Sequence, residues 1–405
     1  MSVRSGRTVA VPATTASTAD TRLAASCGPA QTPGAEMSMT TRAAICREAG
    51  RPWEIAELEL DEPRANEVRI RIEVAGLCHS DDHVQKGAAR MRFPVVGGHE
   101  GAGVVEAVGD GVTRVAVGDH VVCAFIPACG TCRYCSTGRQ NLCDAGKNAS
   151  TGEFADGTFR FHLDGEDIGG MCVLGTFSQH LVVSEFSCIP IPDDIPFDVA
   201  ALVGCGVPTG WGSAVHAAGV RPGQTVVIYG AGGVGSNAVQ GARYAGAKNV
   251  VAVDPVAFKR DMAKVFGATH TFADAAAARE FVVETTWGEL ADHAIITVGV
   301  LHDEVIDQAI QVVGKSGQVT ITAVGNGSID HNPGPFIGFQ RRVQGAIFGG
   351  CNPLFDVPRL LGLYRSGDLK LDELITRRYR LEEINEGYQD MLDGKNVRGV
   401  ILLEH

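Results

Sequence analysis

A chain of 405 residues, 45% hydrophobic and 20% charged, has the material for two or three domains with substantial cores. Its formal charge of −12 argues against nucleic acid and anionic membrane surfaces as partners. No apolar run approaches a membrane span and residues 1–36 hold no signal-peptide core, so a soluble, cytoplasmic protein is expected.

Residues 1–36 are rich in Ala, Ser and Thr, nearly free of aromatics and without helical or strand period, and are read as disordered. Their Arg-bearing, acid-poor character also resembles an organelle transit peptide, and translation from Met37 or Met39 is a third reading. Residues 1–38 are set aside from the fold as a leader or a mis-assigned start.

From Thr41 to about Cys205 short apolar strands, such as 68–74, 101–108 and 120–125, are punctuated by turn signals at Gly109-Asp110-Gly111 and Gly118-Asp119. This rhythm predicts an all-β, barrel-like lobe. Within it Cys129, Cys132, Cys135 and Cys143 stand as C-x2-C-x2-C-x7-C. Four thiolates gathered by one short loop fit a closed tetrahedral zinc site, which clamps the loop and keeps no vacant position for chemistry. A pair of disulfides is the competing reading, and it calls for an oxidising compartment of which the chain bears no sign. Cys27, Cys46, Cys123, Cys172, Cys188 and Cys351 lack such spacing and are read as free thiols, mainly buried.

After Pro222-Gly223 the rhythm changes to strand, helix, strand. A buried strand at 225–229 runs into Gly230-Ala231-Gly232-Gly233-Val234-Gly235 and a helix to about Tyr244, and the next strand, 250–253, ends on Asp254. A helix with Phe258, Met262, Val265 and Phe266 inward follows, stopped at Gly267, and further strands are expected at 294–298 and 318–324. The alternation predicts a doubly wound βαβ domain, making the chain α/β with a β-rich second domain. Gly230 permits the tight turn, Gly232 lets the backbone approach a pyrophosphate, and Gly235 allows close helix–strand packing, with the helix N-terminus facing the phosphates. Asp254 would accept hydrogen bonds from the adenosine ribose and repel a 2′-phosphate, which favours NAD over NADP.

Because the four-cysteine site is closed, a reactive metal needs other ligands, and Cys78, His99 and Cys205 are the candidates. Two thiolates and an imidazole leave one position of a tetrahedral zinc open. Taken singly, a Cys is as readily a small buried hydrophobe and a His a satisfied core residue. Their setting is informative: Gly76-Leu77-Cys78-His79-Ser80-Asp81, Gly97-Gly98-His99-Glu100-Gly101 and Gly204-Cys205-Gly206 accompany the cysteine loop and the dinucleotide loop. Together they strongly resemble zinc-dependent alcohol dehydrogenases of the medium-chain dehydrogenase/reductase superfamily, from about Thr41 to Leu403.

The resemblance implies a GroES-like β-barrel catalytic domain over 39–206 and 348–405, interrupted by a Rossmann NAD-binding domain over 207–347. The final helix, with Leu381, Ile384, Tyr388 and Met391 on one face, would belong to the catalytic part. It implies oxidation of an alcohol to an aldehyde or ketone by zinc-assisted hydride transfer to NAD, with one catalytic zinc on Cys78, His99 and Cys205 and one structural zinc on the cysteine loop. Ser80 and His83 match the family's proton relay, with His83 delivering the proton to solvent, and Asp81 would orient His99. Glu100 would stand behind the metal or join it transiently, and Phe125 would line the substrate pocket. Lys259 suits the adenosine ribose, Arg398 the pyrophosphate and Thr209 the nicotinamide side, while His79 replaces the Arg that many relatives carry beside the phosphates. Read without the family, His83 is a surface histidine and Glu100 a salt-bridge partner.

A finer resemblance lies in Asp156-Gly157-Thr158-Phe159-Arg160-Phe161-His162, in Leu174-Gly175-Thr176-Phe177-Ser178-Gln179 and in the run from Leu202 to Gly212. These are similar to the nicotinoprotein, or nitrosoaniline-dependent, alcohol dehydrogenases, in which NAD stays bound and is reoxidised in place by an acceptor, physiologically mycofactocin. That likeness implies a small-molecule alcohol or aldehyde as substrate and a homo-oligomer as the assembly. Two readings compete with it. One is a relative that exchanges NAD freely, such as an alcohol or thiol-dependent formaldehyde dehydrogenase. The other is a non-catalytic scaffold or ligand-binding protein, which loss of Cys78, His99, Cys205 or Ser80 would have favoured.

Overall fold

The computed structural model describes residues 38–325 and 327–405. The readings made for residues 1–36, Cys27 and the alternative start at Met37 lie outside the described residues.

Five strands close a small barrel: Met39–Cys46, Glu54–Leu60, Phe161–Leu163, Glu166–Gly170 and Val95–Val96. A second, larger sheet is built on Glu67–Gly76, where Val68, Ile70 and Ile72 point into the core and Arg69, Arg71 and Glu73 are only half-buried, the period-2 pattern of a one-sided strand. Gly101–Val108, His120–Cys123 and Cys188–Pro190 extend it on one side, and His180–Ser184 also pairs with Glu67–Gly76. On the other side Arg398–Leu402 and Ile375–Arg380 complete it, with Val400 opposite Gly76. The end of the chain thus returns to the sheet that its first part began.

Between them stands a six-stranded sheet in the order His270–Phe272, Asn249–Val253, Thr225–Tyr229, Ala291–Ile296, Val313–Ile321 and Arg342–Gly345, with every pair parallel. This is the doubly wound arrangement, and its strand order reverses between Thr225–Tyr229 and Ala291–Ile296. Val226 and Ile228 bury against one layer of helices, Val227 and Tyr229 against the other, so strands covered on both faces read as continuous apolar runs. No helix among the described residues is long and apolar enough to cross a membrane.

Two expectations shift. The strands expected at 294–298 and 318–324 are Ala291–Ile296 and Val313–Ile321, because residues 297–299 and 322–324 leave the sheet at its carboxyl edge and line a cavity there. In the helix Ala257–Val265, Phe258 and Val265 are 39% and 42% exposed rather than inward. Phe266 faces the core and Met262 packs at its margin, as expected, and Ala263 joins them in place of the two larger residues.

The stretch from Asp156 to His162 has a structural role. Arg160 is fully buried and grips Glu67 bidentately, with Nε to Oε2 at 2.7 Å and Nη2 to Oε1 at 2.5 Å, while its guanidinium lies 4.3 Å from the centroid of the Phe154 ring. Removing the arginine leaves a buried carboxylate without its counter-charge, a loss on the order of 3–5 kcal/mol. Arg160→Leu should therefore lower the midpoint of urea unfolding by the equivalent of about 3 kcal/mol without changing kcat; an unmoved midpoint would show that the pair contributes nothing net.

Candidate active site

The dinucleotide loop forms where the strand Thr225–Tyr229 meets the helix Gly233–Tyr244. Gly230 has φ +90°, a conformation side chains resist, and a Cβ on Gly235 would lie 1.9 Å from the Gly230 carbonyl oxygen. Around Gly232 a Cβ would meet nothing within 4 Å, so this backbone faces open space, as a phosphate cradle requires. Asp254 is buried at the end of Asn249–Val253, where Oδ2 accepts from the Ala231 amide and Oδ1 from the Val256 amide, both at 2.9 Å. The carboxylate is thereby fixed beside the loop.

A cavity of about 510 Å³ opens from this loop. Gly230, Gly232, Gly233, Val234, Asp254 and Lys259 line one end, Cys78, Ser80, His83, Cys205 and Thr209 the other, and His79 is part of the wall as well. Gly235 lies behind the loop and not on the wall. The sequence analysis did not name Thr297, Val298 and Gly299, which also line it; Thr297 Oγ1 donates to the carbonyls of Tyr229 and Gly230 at 3.0 and 2.8 Å. They follow a strand at the reversal of strand order, the place where open α/β sheets bind ligands, so strand topology was their signal.

At the far end one ligand atom each from Cys78, His99, Glu100 and Cys205 lies within 4.8 Å of the others, and all four residues are buried. Cys78 precedes the helix His79–Gln85 and Cys205 precedes Gly206–Gly212, where backbone amides favour thiolates. Asp81 Oδ1 accepts from the Gly98 amide at 3.0 Å and meets His99 Nδ1 at 3.1 Å, leaving His99 Nε2 buried without a hydrogen-bond partner. A hydrogen bond from Cys205 holds the Cys78 thiol well below its usual range, while that shared bond and burial raise Cys205. Burial pulls the His99 imidazole down, but the charges of Asp81 and Cys78 outweigh it and raise it well above its usual value. Two thiols that compete for one proton beside a partnerless imidazole nitrogen fit a zinc ion.

Behind this cluster Glu100 pairs with Arg398. Burial raises the Glu100 carboxyl to about 7 against the pull of Arg398. Arg398 also packs on the dinucleotide loop, where a Cβ on Gly233 would fall 2.1 Å from its Cδ, and its Nε has no partner. One guanidinium therefore joins the metal cluster to the phosphate cradle.

The remaining candidates take particular places. Ser80 Oγ lies 3.7 Å from Cys78 Sγ and faces the cavity. His83 is 5% exposed, with Nε2 2.9 Å from the Gly299 carbonyl, so it is not open to solvent as expected; the wall across the cleft covers it. Burial lowers the pKa of His79, which is therefore neutral at pH 7. Phe125 stands edge-on to His99, with ring centroids 5.7 Å apart, and edge-on to Phe348 at 5.3 Å.

The four loop cysteines form a second cluster with Cys129–Cys135 and Cys132–Cys143 sulfurs 3.9 and 4.0 Å apart, too far for disulfides. Amides of Cys129, Cys132 and Cys135 each donate to a loop sulfur at 3.4 Å, an arrangement suited to thiolates around a metal. Cys351, a free and buried thiol as expected, meets His216 and Asp356 in a third group. That group is internally satisfied: His216 Nε2 lies 3.1 Å from Asp356 Oδ1, Asp356 Oδ2 accepts from the Asn352 amide, and the Cys351 thiol donates to the Pro208 carbonyl.

Comparison with known proteins gives two family matches, "Alcohol dehydrogenase GroES-like domain" over residues 64–193 and "Zinc-binding dehydrogenase" over residues 233–363. The chain is 56% identical over 367 residues to the NDMA-dependent alcohol dehydrogenase of Amycolatopsis methanolica, covering 90% of this chain and 99% of that one. It is 49% identical over 368 residues to alcohol dehydrogenase B of Mycobacterium tuberculosis, covering 90% and 98%. Among solved structures, an alcohol dehydrogenase zinc-binding domain protein from Burkholderia ambifaria superposes with TM-score 0.85 at 31% identity, covering 91% and 100%.

Cys132→Ser should lower the melting temperature and cost the chain one bound zinc while the folded fraction keeps its hydride-transfer rate. Intact folding with selectively lost turnover, read by zinc analysis, thermal melting and single-turnover kinetics, would overturn the structural role of the loop.

Proposed function

The chain belongs to the zinc-dependent alcohol dehydrogenases of the medium-chain dehydrogenase/reductase superfamily, and we propose that within this family it is a nicotinoprotein, whose NAD stays bound and is reoxidised in place. It is an enzyme acting on small-molecule alcohols or aldehydes, with zinc and NAD as cofactors. The observation that carries the finer reading is the 56% identity, over 90% of the chain, to an NDMA-dependent alcohol dehydrogenase. In this reading the acceptor is an external redox compound of the mycofactocin class. Residues 39–206 and 348–405 form the catalytic domain and 207–347 the cofactor domain.

Cys78, His99 and Cys205 hold the catalytic zinc and Cys129, Cys132, Cys135 and Cys143 the structural one. When bound, zinc supplies the Lewis acidity that lowers an alcohol's pKa, and the nicotinamide accepts the hydride. The protein's part is placement and proton traffic. Asp81 holds the Nδ1 proton of His99 and so presents Nε2 toward Cys78 and Cys205. Ser80 Oγ, on the cavity wall beside Cys78, takes the proton of the alcohol hydroxyl. His83, on the same cavity wall, receives it next, its Nε2 standing against the Gly299 carbonyl.

At the other end Asp254 orders the adenosine ribose beside Lys259, and its charge excludes a 2′-phosphate. Arg398, with its Nε unpartnered beside Gly233, supplies the cation for the pyrophosphate while Glu100 steadies it. Neutral His79 adds a hydrogen bond there rather than a charge.

Denaturing the purified protein should release nicotinamide dinucleotide stoichiometrically with chains. A cofactor-free preparation that works only with added NAD would sink the nicotinoprotein reading and leave the family assignment standing. Ser80→Ala should lower kcat about 100-fold with zinc content unchanged; an unaltered kcat would remove Ser80 from the proton route.

A further inference from the structure

His216, Cys351 and Asp356 lie outside the cavity and have no part in the reaction, yet they gather a nitrogen, a sulfur and an oxygen. One ligand atom from each lies within 4.8 Å of the other two. They come from separate segments: His216 from the π-helical turn Ser213–Ala217, Cys351 from the close of the turn Ile347–Gly350, and Asp356 from the helix Pro353–Arg365. Turns of the π type are rare and occur mostly at functional sites. Phe348, Gly349 and Gly350 have φ of 54°, 61° and 77°, so three successive left-handed residues bend the chain just before the thiol.

Asp356 is 1% exposed, and its Oδ1 stands 3.1 Å from His216 Nε2 while Oδ2 accepts from the Asn352 amide at 2.7 Å. Among the described residues no Lys or Arg side chain pairs with it. Arg359, three residues on, is placed over the Trp211 ring instead, 5.7 Å from its centroid. A carboxylate withdrawn from water without a fixed cation favours acquiring one. Cys351 is fully buried beside it, where a Cβ on Gly212 would fall 2.5 Å from Sγ, and the His216 side chain, 30% exposed, opens the group to solvent. A tetrahedral zinc sets an imidazole nitrogen and a carboxylate oxygen about 3.3 Å apart. The observed His216–Asp356 separation therefore needs little adjustment.

We propose that His216, Cys351 and Asp356 form a third metal site, an exchangeable one for a zinc-like divalent cation. The hydrogen bonds that satisfy the group without metal are those the ion replaces. The Cys351 thiol releases its proton to solvent and trades the Pro208 carbonyl for the ion. The His216 imidazole keeps its proton on Nδ1, which frees Nε2 to coordinate. Asp356 Oδ1 turns from Nε2 to the ion while Oδ2 keeps the Asn352 amide. Thiolate and carboxylate then neutralise the two charges of the cation, and the fourth tetrahedral position is left to water. A sulfur ligand selects zinc, cobalt or cadmium against calcium and magnesium. With three protein ligands and one side open to solvent, the ion exchanges more readily than one held by four cysteines.

The test is titration of the full-length purified enzyme with cobalt(II), its zinc content measured before and after. One further ion per chain should bind without displacing zinc, should show the near-ultraviolet charge-transfer band of a thiolate ligand, and should resist competition by calcium or magnesium. His216→Asn changes the partly exposed ligand and spares the core; it should weaken this ion at least about tenfold. Cys351→Ser should remove the charge-transfer band, and if that variant does not fold, His216→Asn still decides. Absence of a further ion at millimolar cobalt overturns the proposal. A further ion that lacks the band, or whose affinity His216→Asn leaves unchanged, overturns it too, because it binds elsewhere. Cobalt uptake matched by zinc loss also overturns it, since the ion has then entered one of the other two cysteine clusters.

Discussion

The cleft is organised by a charge problem in a dry place. Two thiols, an imidazole and a carboxylate are packed within 4.8 Å of one another and withdrawn from water. Such a group holds together only if a proton is shared or a cation compensates it, which is why Cys78 and Cys205 split their affinities for one proton. The surroundings answer the same problem: Asp81 steadies His99, and Arg398 steadies Glu100. Because Arg398 also packs on Gly233, the electrostatics of the metal end reach the phosphate end through a single side chain.

How much of this could be read without coordinates depended on whether backbone or neighbours impose the constraint. The glycine loop was legible because its geometry excludes side chains: Gly230 needs a left-handed backbone and Gly235 lies against a carbonyl. The cysteine loop was legible because its four thiols sit on one short segment. The buried strand at 225–229 was legible from its unbroken apolar run. The candidate ligands Cys78, His99 and Cys205 were different. Each is ambiguous alone, and their grouping came from family resemblance, since nothing local joins residues on three separate segments.

What stayed hidden was set by tertiary packing. In the helix Ala257–Val265 the inward face takes Ala263 beside Met262 and Phe266, while Phe258 and Val265 turn outward, a difference that apolar spacing alone does not carry. His83 reads as a surface residue beside acids, yet the carbonyl of Gly299, from the other half of the cleft, covers it. Cys351 has no spacing partner because His216 and Asp356 reach it only after folding.

The return of the chain to its first sheet has a consequence for how the protein is made. Glu67–Gly76 needs Arg398–Leu402 as its neighbour, and Arg398 is itself the counter-charge to Glu100. During synthesis the six-stranded sheet at 225–345 is complete in sequence while the earlier lobe still exposes an edge strand and a buried carboxylate without its cation. The order of maturation on the ribosome therefore inverts the order of the chain: the middle can settle first, and the beginning waits for the end. A stalled or clipped C-terminus would yield a molecule with a sound dinucleotide fold and an unfinished metal lobe.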